Sequence, residues 1–335
     1  MSDGDAIKEK LKSNALKVDR YIDGALEVRQ PEELYVASRH LIMAGGKRLR
    51  PYLVIKACEI VGGDPAKAVP FAASLEVLHN FTLIHDDIMD NDDFRRGVPT
   101  VHTKWGVPLG IASGDLLFAK AYDIILEAVK RGSISEMKGI ECIKLLTDAS
   151  IAICEGQVLD TEFPHMGTVT EEDYIEMVGG KTSALFKACA MIGAIVGGGS
   201  REQVEALGAF AWDAGIAFQI VDDILGAISD EETLGKPVGS DLREGKKTLI
   251  ALNALRNGTA EEKEIILKVL GVEHADREDL IAANEALRTS GGIKYASDEA
   301  NRYTEQALSY LEGFKDSEAK NDLVALVHYF TERIY

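Results

Sequence analysis

The sequence predicts an all-α protein. Three observations carry that reading: apolar residues recur at helical spacing through most of the 335 residues, only 8 prolines interrupt them, and no run alternates in the β-branched pattern of a strand. The segments with helical spacing are 33–44, 51–62, 68–90, 112–130, 134–162, 171–197, 201–228 and 246–256, with further stretches beyond 260.

The breaks between them have the chemistry of turns. "GGKRLRP" (45–51), "VGGDP" (61–65), "NDDFRRGVPT" (91–100), "FPHMGTVT" (163–170) and "SDEETLGKPVGSDLREGKK" (229–247) gather Gly, Pro, Asp and Lys. None reads as a flexible linker, so a single domain over 1–335 is expected. A 46% hydrophobic content is enough for a substantial core.

Composition also excludes some functions. Against 55 acidic residues stand 37 basic ones, a formal net charge of −18, and a duplex nucleic-acid partner would need the opposite balance. Cys58, Cys142, Cys154 and Cys189 lie far apart with no CxxC pair, which suits buried thiols in a reducing compartment. The start "MSDGDAIKEKLKSN" has no apolar core of a signal peptide, and the longest apolar run, near 188–196, is too short to span a bilayer. A cytoplasmic protein without an integral membrane segment is expected.

The segment from 68 is apolar up to Ile84, then places Asp86, Asp87, Asp90, Asp92 and Asp93 within eight positions and turns to Arg95 and Arg96. On a helix Asp86 and Asp90 are i and i+4 and share a face. Carboxylates so crowded repel unless a cation lies between them, and their oxygens suit a hard ion such as Mg²⁺. A zinc site would want a second His or Cys near His85, and none stands at helical spacing. Alone, this motif could be a solvated helix end. A second pair, Asp222 and Asp223, closes the apolar stretch "AGIAFQIV", and two such pairs argue for metal.

In so acidic a chain Lys47, Arg48 and Arg50, then Arg95 and Arg96, Lys181 in "GGKTSALF", and Lys236 and Lys246 stand out because they lie beside glycines, which let backbone approach a phosphate. Two basic clusters suit two phosphate-bearing groups. "GGKT" lacks the spacing of a nucleotide-binding phosphate loop.

Together, DDxxD followed by RRG, the second DD, "GGKRLRP" and "SDLREGKKT" resemble the short-chain trans-prenyl diphosphate synthases, most of all the archaeal geranylgeranyl type, and the likeness runs over nearly the whole chain. The resemblance implies a helical bundle around a central apolar cavity and a homodimer. It implies that Mg²⁺, three ions per site, is held by Asp86, Asp90 and Asp222, with Asp87 and Asp223 supporting. Lys47, Arg50, His79 and Arg96 would bind isopentenyl diphosphate. Arg95, Lys181, Lys236 and Lys246 would bind the allylic diphosphate, with Thr182 and Gln219 beside the reacting carbons. Gln157 and Asp160 resemble the family's Gly-Gln segment and would line the cavity. One position departs: Gly226 stands where many members have the last aspartate of the second motif, which bears on the affinity of the third ion.

The implied reaction is departure of diphosphate from an allylic carbon, attack on the resulting cation by isopentenyl diphosphate, and loss of a proton. Product length is set before the first motif. At about 100° per residue Thr82 and Leu75 lie within about 40° of Asp86 and Leu78 within about 80°, so they should line the cavity. Phe81 falls about 140° away, and only the resemblance makes it the floor. Family members that stop at C15 commonly carry a second aromatic where this chain has Thr82, or two extra residues inside the first motif, which "DDIMD" lacks, so the resemblance implies mainly C20 product, with some C15. The alternatives are a farnesyl or bifunctional C15/C20 synthase, a terpene cyclase, a non-catalytic partner subunit, or a metal phosphohydrolase built on His85 and Asp86.

Overall fold

A computed structural model describes residues 3–228, 240–272 and 274–331. It is all-α. The helices are α1 (Asp3–Ala25), α2 (Glu32–Met43), α3 (Leu49–Ile60), α4 (Pro65–Met89), α5 (Val101–Trp105), α6 (Val107–Lys130), α7 (Glu136–Glu162), α8 (Glu171–Val178), α9 (Ala184–Gly197) and α10 (Arg201–Ile228). Further helices follow at Ser240–Arg243, Leu249–Asn257, Ala260–Val269, Arg277–Thr289, Gly292–Ser309 and Glu318–Thr331.

Three differences from the sequence expectation have local causes. Helix α1 was not among the expected segments, although Ile7, Leu11, Val18 and Ile22 recur on one face and are buried. The expected 171–197 helix is interrupted by a π-helical turn at Gly179–Ser183. A two-residue hairpin, Phe94–Arg95 with Val98–Pro99, sits in the expected break after α4. Its turn puts Arg96 (φ 54°) and Gly97 (φ 75°) in the left-handed region, the geometry that matches strand twist in a two-residue loop.

The described residues form two compact units. Of the described residues, the first takes 3–147, 188–208 and 314–325, and the second 148–187, 209–228, 240–272, 274–313 and 326–331. In the first, α4 is the centre. Asp64 caps it by accepting from the Ala66 N–H, with Pro65 at the first helical position, and its residues are apolar nearly all round, so neighbours cover every face. Helices α1, α2, α3 and α6 pack on it. Helix α6 comes close because Gly114 has no side chain: a Cβ there would lie 2.2 Å from His85 Nε2.

In the second unit Phe163, Tyr174, Val178, Ile220, Ile224 and Ile250 belong to one buried cluster. Capping boxes start two of its helices, Thr170 with Asp173 and Thr259 with Glu262. Helix α10 is long and apolar enough to cross a bilayer, unlike any single apolar run in the sequence, but most of its apolar window is buried and it carries Asp213, Asp222 and Asp223.

Candidate active site

Helix α4 delivers the first acidic motif to its own C-terminal end. Asp90 is the C-cap, its N–H bonded back to the Asp86 carbonyl at 2.8 Å. That end of a helix carries the negative pole of the backbone dipole, so the carboxylates face an unfavourable field as well as one another. Positive charge answers both. Arg95, delivered by the hairpin, donates from Nε to Asp87 Oδ1, and its Nη2 lies 3.7 Å from Asp86 Oδ2 and 3.6 Å from Asp92 Oδ2.

Asp87 is fully buried, and burial pushes its pKa up to about 6 against the pull of Arg95. Its Oδ2 is buried without a hydrogen-bond partner among the described residues. Asp86 is partly exposed and Asp90 exposed. A buried carboxylate oxygen left unbonded beside two accessible carboxylates fits a hard divalent cation. Among the described residues no three His, Cys, Asp or Glu side chains form a ready-made metal cage. Such a cation would therefore take part of its shell from water or substrate oxygens.

The basic residues of "GGKRLRP" divide. Lys47 is exposed, while Arg50 approaches His79 on α4, Nη1 to Nε2 at 3.2 Å. Burial, then Arg50, Arg96, Arg95 and Arg48, hold the His79 pKa well below the ordinary histidine range. His79 is thus neutral, and since a guanidinium only donates, its Nε2 accepts. Arg48 is buried and fully engaged: Nε on Asp19 (2.8 Å), Nη1 on Glu76 (2.8 Å), Nη2 on the Ile42 carbonyl (2.7 Å). Arg96 donates from Nη1 to the carbonyls of Leu41 (3.0 Å) and Gly45. Glu76 and Asp19 were not singled out in the sequence, because nothing in their spacing names Arg48 as their partner.

Of the residues before the motif, Leu75 and Leu78 are completely buried. Thr82 is partly buried, its hydroxyl donating to the His79 carbonyl at 2.8 Å. The Phe81 ring meets Phe118 of α6 edge-on at 5.2 Å and His85 at 4.9 Å.

In the second unit the π-helical turn carries Lys181 and Thr182. Three close approaches require glycine there: a Cβ on Gly156 would lie 2.3 Å from the Lys181 N, one on Gly180 2.7 Å from the Ala152 carbonyl, and one on Gly215 2.7 Å from Ser183 Oγ. Single π turns inside helices are frequent at functional sites. Lys181 is paired with Asp160, and Gln157, one turn earlier on α7, has a buried Nε2 without a hydrogen-bond partner among the described residues.

Asp222 is exposed at the end of α10, whereas Asp223 turns inward to protein partners, Tyr174 and Gln219. Burial raises the Asp223 pKa to about 7, against those two hydrogen bonds, and the same burial and the nearby carboxylate keep the Tyr174 phenol protonated. Gly226 lies against Asp241: a Cβ there would be 2.7 Å from Asp241 Oδ2. A carboxylate thus stands beside the position where the motif's last aspartate is missing, supplied from "GSDLREGKK" rather than from α10. Burial would lower the Lys246 pKa, but Asp241 at 3.5 Å and Glu244 at 2.8 Å raise it above the ordinary lysine value. Lys236 lies outside the described residues.

Residues 31–287 match the family described as polyprenyl synthetase. The chain is 44% identical over 327 residues to a geranylgeranyl diphosphate synthase of Methanosarcina mazei, covering 98% of each chain. It is 41% identical over 321 residues to a geranylfarnesyl diphosphate synthase of Aeropyrum pernix, covering 95% of this chain and 99% of that one. A solved structure, geranylgeranyl pyrophosphate synthetase from Pyrococcus horikoshii Ot3, aligns with a TM-score of 0.91 at 42% identity, over 98% of this chain and 99% of that chain.

Proposed function

The chain belongs to the polyprenyl synthetase family, a family of trans-prenyltransferases, and on that premise we propose that it condenses isopentenyl diphosphate head to tail with dimethylallyl, geranyl and farnesyl diphosphates, giving mainly geranylgeranyl diphosphate with some farnesyl diphosphate. In this reading residues 1–335 work as one domain, in the cytoplasm.

What carries the proposal is the carboxylate cluster at the dipole-negative end of α4, where Asp87 Oδ2 is buried and unbonded while Asp86 and Asp90 remain accessible. Asp86, Asp90 and Asp222, with Asp87 and Asp223 beside them, would hold Mg²⁺, three ions in all. When bound, Mg²⁺ supplies charge that stabilises the departing diphosphate. Arg95, Lys181, Lys236 and Lys246 bind the allylic diphosphate. Arg95, already held among Asp86, Asp87 and Asp92, would meet its oxygens without first having to be ordered.

Lys47, Arg50, Arg96 and neutral His79 bind isopentenyl diphosphate. Accepting from Arg50 at Nε2, His79 keeps an N–H at Nδ1 and aims the guanidinium without adding charge of its own. Thr82 lines an apolar pocket that keeps water from the allylic cation, and Phe81, backed by Phe118, is its floor, whereas Leu75 and Leu78, expected to line it, are packed in the core behind it. Thr182 and Gln219 lie beside the reacting carbons, with Gln157 and Asp160 lining the pocket.

We also infer a homodimer. Ile111, Phe118 and Leu126 fall on one face of α6 and stay 45%, 36% and 54% exposed, a stripe that a second copy would cover.

The test of the proposal is Asp86→Asn assayed for labelled isopentenyl diphosphate incorporation with Mg²⁺ and each allylic starter. Turnover should fall by roughly three orders of magnitude or more with helix content unchanged, because the loss is in charge stabilisation of the transition state. Near-normal turnover would remove the assignment. Release of diphosphate from the allylic substrate without isopentenyl diphosphate would mark a cyclase instead.

A further inference from the structure

Four side chains in the second unit form a hydrogen-bonded relay. The Tyr174 hydroxyl donates to Asp223 Oδ2 at 2.6 Å, Gln219 donates from Nε2 to Asp223 Oδ1 at 3.0 Å, and the Thr182 hydroxyl donates to Gln219 Oε1 at 2.9 Å. The members come from α8, the π-helical turn and α10. Tyr174 is 1% and Thr182 6% exposed.

The sense of each bond follows from chemistry. In the structure Tyr174 turns its hydroxyl and Gln219 its amino group to Asp223, the arrangement that an ionised Asp223, which only accepts, holds in place. The Gln219 carbonyl then faces Thr182 and can only accept, which commits the Thr182 hydrogen to it. On the side where the two oxygens meet, Thr182 Oγ1 and Gln219 Oε1 offer their remaining lone pairs, while the second Gln219 N–H stays with the amino group on the Asp223 side. With the amide flipped, Thr182 would have to accept from Gln219, and its hydrogen would be free to point outward. The two arrangements present opposite dipoles to a neighbouring charge.

We propose that Tyr174 is a positioning residue for the chemical step: by holding Asp223 it fixes the Gln219 amide, so that oxygen lone pairs and not hydrogens face the positive charge that develops on the allylic carbon. This rests on the function proposed above, in which Thr182 and Gln219 lie beside the reacting carbons. Asp223 then acts as the anchor of the amide, with both its oxygens already accepting from protein, a role separate from that of exposed Asp222. Fixed dipoles of this kind stabilise charge without reorganising during the reaction.

The experiment is rapid-quench single turnover with geranyl and isopentenyl diphosphates at about pH 8, on Tyr174→Phe and Asp223→Asn. Tyr174→Phe removes one oxygen. Its carbon–carbon bond formation should slow about tenfold, with both KM values within about twofold of wild type, since one hydrogen bond to a charged group is lost and no substrate contact is touched. Asp223→Asn should be slower still, because its amide can donate to Gln219 and stabilise the flipped form. A wild-type single-turnover rate in Tyr174→Phe, or a loss that appears in KM and melting temperature and not in the bond-forming rate, overturns the proposal. Should Tyr174→Phe not fold, Asp223→Asn is read across a range of Mg²⁺ concentrations, and a wild-type rate there, or a loss that excess Mg²⁺ restores, overturns it. A wild-type chain that elongates nothing overturns the function beneath it, an outcome distinct from an active wild type with unaffected variants.

Discussion

Arg48 donates from Nη1 to Glu76 Oε1 at 2.8 Å with both side chains almost wholly withdrawn from solvent. Its guanidinium also holds the Ile42 and Gly45 carbonyls, and Gly45 receives Arg96 as well, so one buried arginine sets the loop from which Lys47 and Arg50 project. Removing one partner of a buried pair leaves the other uncompensated. Arg48→Met should therefore cost about 3–5 kcal/mol in urea unfolding. Replacing both with apolar residues should recover much of that loss while leaving the apparent KM for isopentenyl diphosphate raised.

Asp213 on α10 is buried, and that burial raises its pKa from near 4 to about 6, with only Arg302 opposing. The folded state therefore holds the proton more tightly than the unfolded chain. Stability should fall as pH rises from about 4 to about 6, and the penalty should persist above that. Asp213→Asn removes the ionisation and should raise stability near neutral pH by roughly 2–3 kcal/mol, with no gain at pH 4. Unfolding midpoints at the two pH values measure it, and an equal effect at both would contradict the cause given.

Arg96 is proposed to serve isopentenyl diphosphate while Arg95 lies among the first-motif aspartates. Loss of a charge-assisted contact is worth about 1.5–3 kcal/mol, so Arg96→Ala should raise the apparent KM for isopentenyl diphosphate about tenfold or more. Initial rates with each substrate varied in turn check it. A rise confined to the allylic partner would exchange the two arginines' roles.

Phe81 packs edge-on against Phe118, which props it from α6. Leu75 lies about 9 Å further along α4 at about 1.5 Å per residue, so Phe81→Ala should lengthen the product by one or more five-carbon units. Phe118→Ala should do the same more weakly by letting the ring retreat. Product chromatography reads both, and an unchanged distribution in Phe81→Ala would remove it as the floor.

The parts legible in the sequence were those written in local spacing. Helix α10 runs over 201–228 as its apolar pattern implied, and Asp86 and Asp90 end a largely apolar helix because its carboxylates crowd into the last turn. The role of Arg48 was not legible: "GGKRLRP" presents three cations alike, and only the fold turns one of them onto Glu76, 28 residues away. Tyr174 gave no signal either, since a tyrosine among Met177 and Val178 reads as core and its partner Asp223 is 49 residues on. The π-helical turn was hidden for a related reason. Helical spacing continues through 171–197, and the glycines that permit the turn look like ordinary breaks until Gly156 and Gly215 are seen against it.

The most direct measurement of the central claim is the chain-length distribution of products from the wild-type protein supplied with Mg²⁺, labelled isopentenyl diphosphate and dimethylallyl, geranyl or farnesyl diphosphate in separate reactions. Incorporation with every starter and a main C20 peak accompanied by some C15 is the expected result. A product that stops at C15, or no incorporation with any starter, would contradict it.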